Sequence, residues 1–258
     1  MGVLNVTPDS FSDGGRFLDT ETAVRHGLTL AGEGAAFLDV GGESTRPGAD
    51  PVGVQEELRR VIPVIERLHR ATGAVISVDT SKPEVMRAAA AAGAGLINDV
   101  RALQEPGALE AARVSGCAVC LMHMQGEPRT MQAAPAYRDV VGEVRAFLEA
   151  RARACRTAGF PDDRLVLDPG FGFGKTLEHN LTLLRHLREL GSGGLPVMVG
   201  LSRKSMVGKL TGRPEGERLL GSVVLAVLAA LEGASIVRAH DVAATVEALR
   251  LVAAMRES

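Results

Sequence analysis

Short apolar runs, each closed by a polar residue and followed by a loop and a helical stretch, recur eight times along the 258-residue chain. The runs are Gly2 to Asn5, Phe37 to Asp39, Val75 to Asp79, Leu96 to Asp99, Ala118 to His123, Leu165 to Asp168, Val197 to Ser202, and Ile236 to Arg238 with His240 just beyond. A strand covered on both faces reads as a continuous apolar run, whereas a half-exposed strand alternates. Strands separated by helices imply right-handed parallel β-α-β units. Eight such units predict an α/β fold, a (β/α)8 TIM barrel, as one domain over residues 1–258. In that architecture the C-terminal strand ends and the loops after them share one face. Asn5, Asp39, Asp79, Asn98, His123, Asp168, Lys204 and Arg238 are therefore expected around one pocket.

Composition narrows the function more than the fold. Hydrophobic residues make up 46% of the chain, and no Pro/Gly/Ser-rich linker or charge block divides it. The 29 basic and 31 acidic residues are interspersed, for a formal net charge of -2. Such a surface has no footprint for nucleic acid or an anionic membrane and points to small-molecule substrates. Trp is absent and Tyr137 is the one tyrosine, so stacking platforms for single strands are not expected either. The longest apolar stretch, Leu219 to Leu231, is 13 residues between Arg218 and Glu232, too short to span a bilayer. It reads as a buried helix, apolar enough all round to meet a partner subunit. The chain opens on a strand without the basic and apolar segments of a secretion signal, so a cytoplasmic location is expected. Cys117, Cys120 and Cys155 are too few for a disulfide framework. Three positions apart on a strand, Cys117 and Cys120 point to opposite faces and read as core residues.

The loops carry the candidate chemistry. The first, residues 5 to 16, is long and dense in hydroxyls, carboxylates and glycines, as binding loops are. The second, Gly41-Gly42-Glu43-Ser44-Thr45-Arg46-Pro47-Gly48-Ala49, sets two hydroxyls and an Arg on a glycine-flanked segment, the donors an oxyanion needs. After the third run, Pro83 suits the first turn of a helix, with Thr80 or Ser81 as its cap. Asp79, Asn98, Asp99 and Asp168 remain as polar ends of apolar runs, where each needs a hydrogen-bonding partner. Carboxylates and amides facing one pocket suit a flat heterocycle rich in donors and acceptors, although each alone reads equally well as a cap. The sixth loop ends in Gly174-Lys175-Thr176, but the position five before Gly174 is Pro169, which excludes a P-loop. Its Phe171 and Phe173 either wall a planar substrate or pack the loop. Ser202-Arg203-Lys204-Ser205 opens a helix as an anion site, or Lys204 forms a Schiff base. Arg238 and His240, two apart, share a face and can hold one anion. A zinc hydrolase is disfavoured because the first strand carries Asn5 and Thr7 where a His-x-His is expected. His26, His69, His179 and His186 fall in helical stretches.

Taken in order, residues 1–15, the run at 41–49, Asp168 to Thr176, Ser202-Arg203-Lys204 and Arg238-Ala239-His240-Asp241 resemble the dihydropteroate synthases, the sulfonamide targets of bacterial folate synthesis. The resemblance extends over nearly the whole chain. It implies condensation of 6-hydroxymethyl-7,8-dihydropterin pyrophosphate with p-aminobenzoate, releasing pyrophosphate with Mg2+, on a barrel that forms a homodimer. Carried over residue by residue, it assigns the pterin to Asp79, Asn98, Met122, Asp168 and Lys204, and the Mg2+ to Asn5. Thr45, Arg46, Arg238 and His240 would take the pyrophosphate; Pro47, Phe173, Ser202 and Lys204 would shape the p-aminobenzoate place. Asp79, Asp168, Lys204 and Arg238 would carry the catalysis, with Asp39 and His123 supporting. The family also carries a leader before its first strand that covers the bottom of the barrel, and this chain opens on the strand itself.

The chemistry agrees with that assignment. An aromatic amine is neutral and nucleophilic at neutral pH, so no strong general base is needed, and no Ser-His-Asp or Cys-His arrangement is evident. Departure of the pyrophosphate should dominate the barrier, an SN1-like path with the first two loops closing over it. A pterin-binding methyltransferase domain, a Schiff-base lyase using Lys204, and a non-catalytic pterin-binding protein are the alternatives.

Overall fold

A computed structural model describes residues 1–6, 16–43, 51–127, 130–191 and 193–257. Eight strands alternate with helices: β1 (Gly2–Asn5), α1 (Arg16–Gly32), β2 (Phe37–Gly41), α2 (Val54–Ala71), β3 (Val75–Asp79), α3 (Pro83–Ala91), β4 (Leu96–Asp99), α4 (Ala108–Ser115), β5 (Ala118–Met122) and α5 (Val140–Thr157). The second half adds β6 (Leu165–Asp168), α6 (Leu177–Arg185), α7 (Leu187–Leu190), β7 (Met198–Gly200), α8 (Ser205–Thr211), α9 (Leu219–Leu231), β8 (Ile236–Arg238) and α10 (Val242–Glu257). β1 to β6 pair in order as a parallel six-stranded arc, and β7 pairs with β8. Single bridges close the ring at two seams, Leu167 to Val197 and Gly2 to Ala239. The expected barrel is present.

Strand periodicity divides the side chains between two cores. Leu4, Leu38, Val40, Ile76, Val78, Ile97, Val119, Leu121, Leu165, Leu167 and Val199 face the helices. The alternate positions Phe37, Leu96, Ala118, Cys120, Val166, Met198 and Ile236 form a smaller cluster inside the ring. Continuing that inner parity toward the C-terminal ends gives Asn5, Asp39, Ser77, Asp79, Asn98, Met122, Asp168 and Arg238. The barrel is thus packed at its bottom and polar at its top. Cys117 and Cys120 lie in the outer and inner cores respectively, as their spacing predicts.

The helices form for local reasons. On α2, Val61, Val64, Ile65 and Leu68 make one buried stripe, and Glu56, Glu57, His69 and Arg70 match the charge of the helix ends. Burying such side chains stabilises by about 2 kcal/mol each. Pro83 opens α3, but Lys82 occupies its cap without a side-chain bond. Thr80 Oγ1 instead accepts from Lys82 N, and Ser81 Oγ donates to Asp99. The stretch expected as a buried helix, α9, is two-faced. Ser222, Leu225, Ala226, Ala229 and Ala230 are buried, whereas Leu219, Leu220, Val224 and Leu228 are exposed. Among the described residues, no helix is long and apolar enough to cross a membrane.

Candidate active site

Inner-parity side chains build a polar floor at the top of the ring. Asp39, fully buried on β2, accepts from Ser77 Oγ at 2.5 Å, Asn98 Nδ2 at 3.0 Å and Arg238 Nε at 2.6 Å. Arg238 Nη2 donates to Asp79 Oδ2 at 3.1 Å, so one guanidinium from β8 bridges carboxylates on β2 and β3. Each carboxylate thereby gains a charged partner, the condition for burying it. Burial and the neighbouring Asp39 push the Asp79 carboxyl up to about 7, against the pull of Arg238. Arg238, expected beside the pyrophosphate, is in this structure bound to the floor.

Asp168 stands across the ring. Its Oδ1 accepts from Gly170 N at 2.7 Å, and burial raises its pKa while Lys204, foremost among the cations, lowers it. Lys204 caps α8, donates to Phe171 O and lies 4.7 Å from the Phe173 ring centroid. Burial pulls its ammonium down to about 8, and Asp168 acts in the opposite sense. Phe171 is completely buried and packs the loop, whereas Phe173 is half-buried beside Lys204. Of the two aromatics, only Phe173 is placed to wall a substrate. Met122 is buried beside a cavity of about 230 Å3, lined also by Val100, Arg101, Met124 and Phe147.

Farther out, Ser202 Oγ accepts from His240 N at 3.2 Å and lies 3.1 Å from His240 Nδ1. The two residues assigned to different substrates therefore touch. Between them the chain turns through Arg203, which takes the left-handed φ of +58° and pairs with Asp241 at its Nε, 3.0 Å away. Asn5 ends β1 half-buried at the mouth, near Gly41. Thr45, Arg46 and Pro47 lie outside the described residues, as does most of the first loop.

The donor set bears on Mg2+. Among the described residues, no group of three or more His, Cys, Asp or Glu side chains is arranged to hold a metal. Asn5 offers one neutral oxygen ligand. That suits Mg2+, which keeps several waters and binds through substrate phosphates rather than in an all-protein cage.

Two lysines, Lys82 half-buried and Lys175 buried, join the site at the feet of its loops. Lys82 pairs with Glu43, at the foot of the second loop, and with Glu57 on α2, which is completely buried. Arg60 Nη1 donates to Gly42 O at 2.8 Å, so the same loop is held from both sides. Lys175, considered only as part of a false P-loop, is 3% exposed beneath the sixth loop. A charged residue at a loop foot was the available signal in both cases. Their long-range partners are not visible in a linear sequence.

The profile of the pterin binding enzyme family matches residues 1–240. The dihydropteroate synthase of Escherichia coli (strain K12) is 58% identical over 255 residues, covering 98% of this chain and 90% of that protein. The Xanthomonas albilineans dihydropteroate synthase with 4-aminobenzoic acid superposes with a TM-score of 0.95 at 57% identity, covering 100% of this chain and 93% of that one. The same enzyme in complex with 7,8-dihydropteroate gives a TM-score of 0.91 at 54% identity, again over 100% and 93% of the two chains.

Proposed function

The chain belongs to the pterin-binding enzymes and, among them, to the dihydropteroate synthases, and from this we propose a division of labour for its barrel mouth. The enzyme condenses 6-hydroxymethyl-7,8-dihydropterin pyrophosphate with p-aminobenzoate in folate synthesis, a transferase reaction. The pterin lies on the inner polar ring, with Asp168 accepting from its amino-pyrimidine edge and Lys204 donating to its carbonyl side. Asp79, Asn98 and Met122 complete that pocket. One observation carries this reading: Asp79, Asn98, Met122, Asp168 and Arg238 share the inner parity of five strands and meet above one small apolar cluster.

The outer place belongs to p-aminobenzoate, between Phe173, Lys204 and Ser202, with Pro47 on the second loop. Its carboxylate meets Ser202 and the start of α8. Pyrophosphate leaves toward His240, Thr45 and Arg46, and Arg238 contributes the N–H groups that Asp39 and Asp79 leave unused. Asn5 would be the protein ligand for a Mg2+, which when bound would supply neutralisation of charge on the leaving group. Carboxylates beneath the ring tolerate positive charge on the methylene carbon, which favours the SN1-like path. A steep dependence of the chemical step on basicity across substituted anilines would exclude that path.

The reading is tested by pyrophosphate release from the dihydropterin pyrophosphate, with and without p-aminobenzoate and Mg2+. Release should require Mg2+, and with p-aminobenzoate present it should appear with dihydropteroate in equal amounts. Release that yields no dihydropteroate when p-aminobenzoate is supplied overturns the assignment. The exposed apolar faces of α9 and α10, with Leu220 76% and Leu251 70% exposed, support a homodimer through this side. Three free, buried cysteines suit the reducing cytoplasm.

A further inference from the structure

One buried cation plays no part in the division of labour above. Lys175 Nζ lies 3.0 Å from Gly170 O, 3.0 Å from Phe173 O, 3.3 Å from His123 O and 2.9 Å from His123 Nδ1. The carbonyls are obligate acceptors. Four acceptors around one nitrogen suit an ammonium, which has three protons and no lone pair. With Nδ1 accepting, His123 carries its proton on Nε2, and burial holds it neutral by pulling its pKa down to about 3. No carboxylate forms an ion pair with Lys175 among the described residues. Asp168 is the negative charge that favours its protonation, and burial opposes that by drawing it down to about 7.

The sixth loop winds around this nitrogen. Gly170 donates its N–H to Asp168 and gives its carbonyl to Lys175, so one residue links the carboxylate to the cation. Asn180 holds Gly172 N at 2.8 Å, and Lys204 takes the carbonyl of Phe171. Carbonyls 170 and 173 thus turn toward one ammonium and carbonyl 171 toward the other. This leaves the Phe173 ring against Lys204.

We propose that Lys175 is a positioning residue of the condensation: its ammonium shapes the sixth loop so that Phe173 faces the p-aminobenzoate place, and it serves with Lys204 as a counter-ion to Asp168. This rests on the assignment of Asp168 to the pterin and Phe173 to p-aminobenzoate. Two readouts follow. Without the cation the loop loses its shape and p-aminobenzoate saturation suffers. Without the charge, Asp168 takes up a proton more readily, and the acid limb of pterin binding moves to higher pH. Asp168 is also faced by Lys204, Arg238 and the Cys120 thiol, which all variants below leave in place.

The experiment compares Lys175→Met, Lys175→Arg and Tyr137→Phe in the full chain. Tyr137 Oη donates to Gly174 O at 2.9 Å, so its variant loosens the same loop without touching a charge. Production of dihydropteroate by the unsubstituted enzyme is measured first; its failure would reject the functional assignment rather than the role of Lys175. In Lys175→Met, with circular dichroism unchanged, KM for p-aminobenzoate should rise about tenfold or more, beyond any fall in kcat. The acid limb of pterin binding, measured without p-aminobenzoate, should rise by about half a pH unit or more. Lys175→Arg should keep the original limb, and Tyr137→Phe should lower the Tm without moving it. If Lys175→Met does not fold, Lys175→Gln takes its place in the same comparison. An active enzyme whose acid limb and KM are unchanged in the neutral variant overturns the proposal.

Discussion

Asp79 holds its proton to about pH 7 because burial and Asp39 together outweigh the Arg238 guanidinium. In the unfolded chain an Asp ionises near pH 4. Between those values the folded protein keeps a proton that the unfolded chain releases. This group's contribution to stability is therefore greatest below about pH 4 and declines as pH rises toward 7. His123 acts oppositely: held neutral, it favours the folded state above its ordinary pKa and costs stability as pH falls toward about 3. The difference between Asp79→Asn and the unsubstituted protein isolates the first effect. Urea midpoints at pH 5 and pH 7.5 should show the variant losing less stability over the interval, by an amount on the order of 1 kcal/mol or more. Equal losses would mean that Asp79 is ionised throughout. Polar residues closing apolar runs made Asp79, Asn98 and Asp168 visible in the sequence. Asp39 looked merely structural because its three donors come from β3, β4 and β8, far along the chain. Such convergence depends on strand register, which no local pattern carries.

The sixth loop places Lys204 and Phe173 only if its backbone lies against the fifth. Gly170 has φ +67°, and a Cβ there would lie 1.9 Å from His123 O. Gly159, after α5, has φ +97° with nothing within 4 Å of its Cβ position. Gly159→Ala should therefore cost only the left-handed backbone term, about 1–2 kcal/mol. Gly170→Ala adds a backbone clash that no rotamer can relieve. It should lose p-aminobenzoate saturation and more than twice the stability of Gly159→Ala, measured by thermal unfolding and steady-state kinetics. Equal losses would show that the two loops can separate freely. The strands were legible as runs because the outer parity is continuously apolar. Their ends were less so: β2 continues to Gly41 and β5 stops at Met122, because pairing with the neighbour, not composition, sets the last residue. The capping of α3 was misread for a related reason. Ser81 bonds Asp99 across to the next strand, which outweighs the local cap.

At the scale of the molecule, the apolar run of α9 reads as a buried helix able to meet a partner subunit, and the structure covers one face and leaves the other exposed, since hydropathy alone cannot say whether a helix is covered by its own chain or by another. If the proposed homodimer forms through α9, Leu220→Glu should leave a monomer in light scattering without changing the far-ultraviolet spectrum. A dimer unchanged by that charge would place the interface elsewhere. The ring itself is uneven. The six-stranded arc contributes the acids Asp39, Asp79 and Asp168, while the β7–β8 pair and its loops contribute Lys204, Arg238 and His240. Each seam between these pieces has a single bridge. Arg238, bonded to Asp39 and Asp79, therefore fastens one piece to the other by side chains where backbone pairing is thin. The cationic half of the mouth resembles a door whose latch is an ion pair with the opposite jamb. Pyrophosphate drawing on Arg238 would loosen that latch while itself tying the two sides together. Hydrogen exchange at the β7–β8 amides should consequently be faster than in β2–β5 in the free enzyme, and Arg238→Met should accelerate it further.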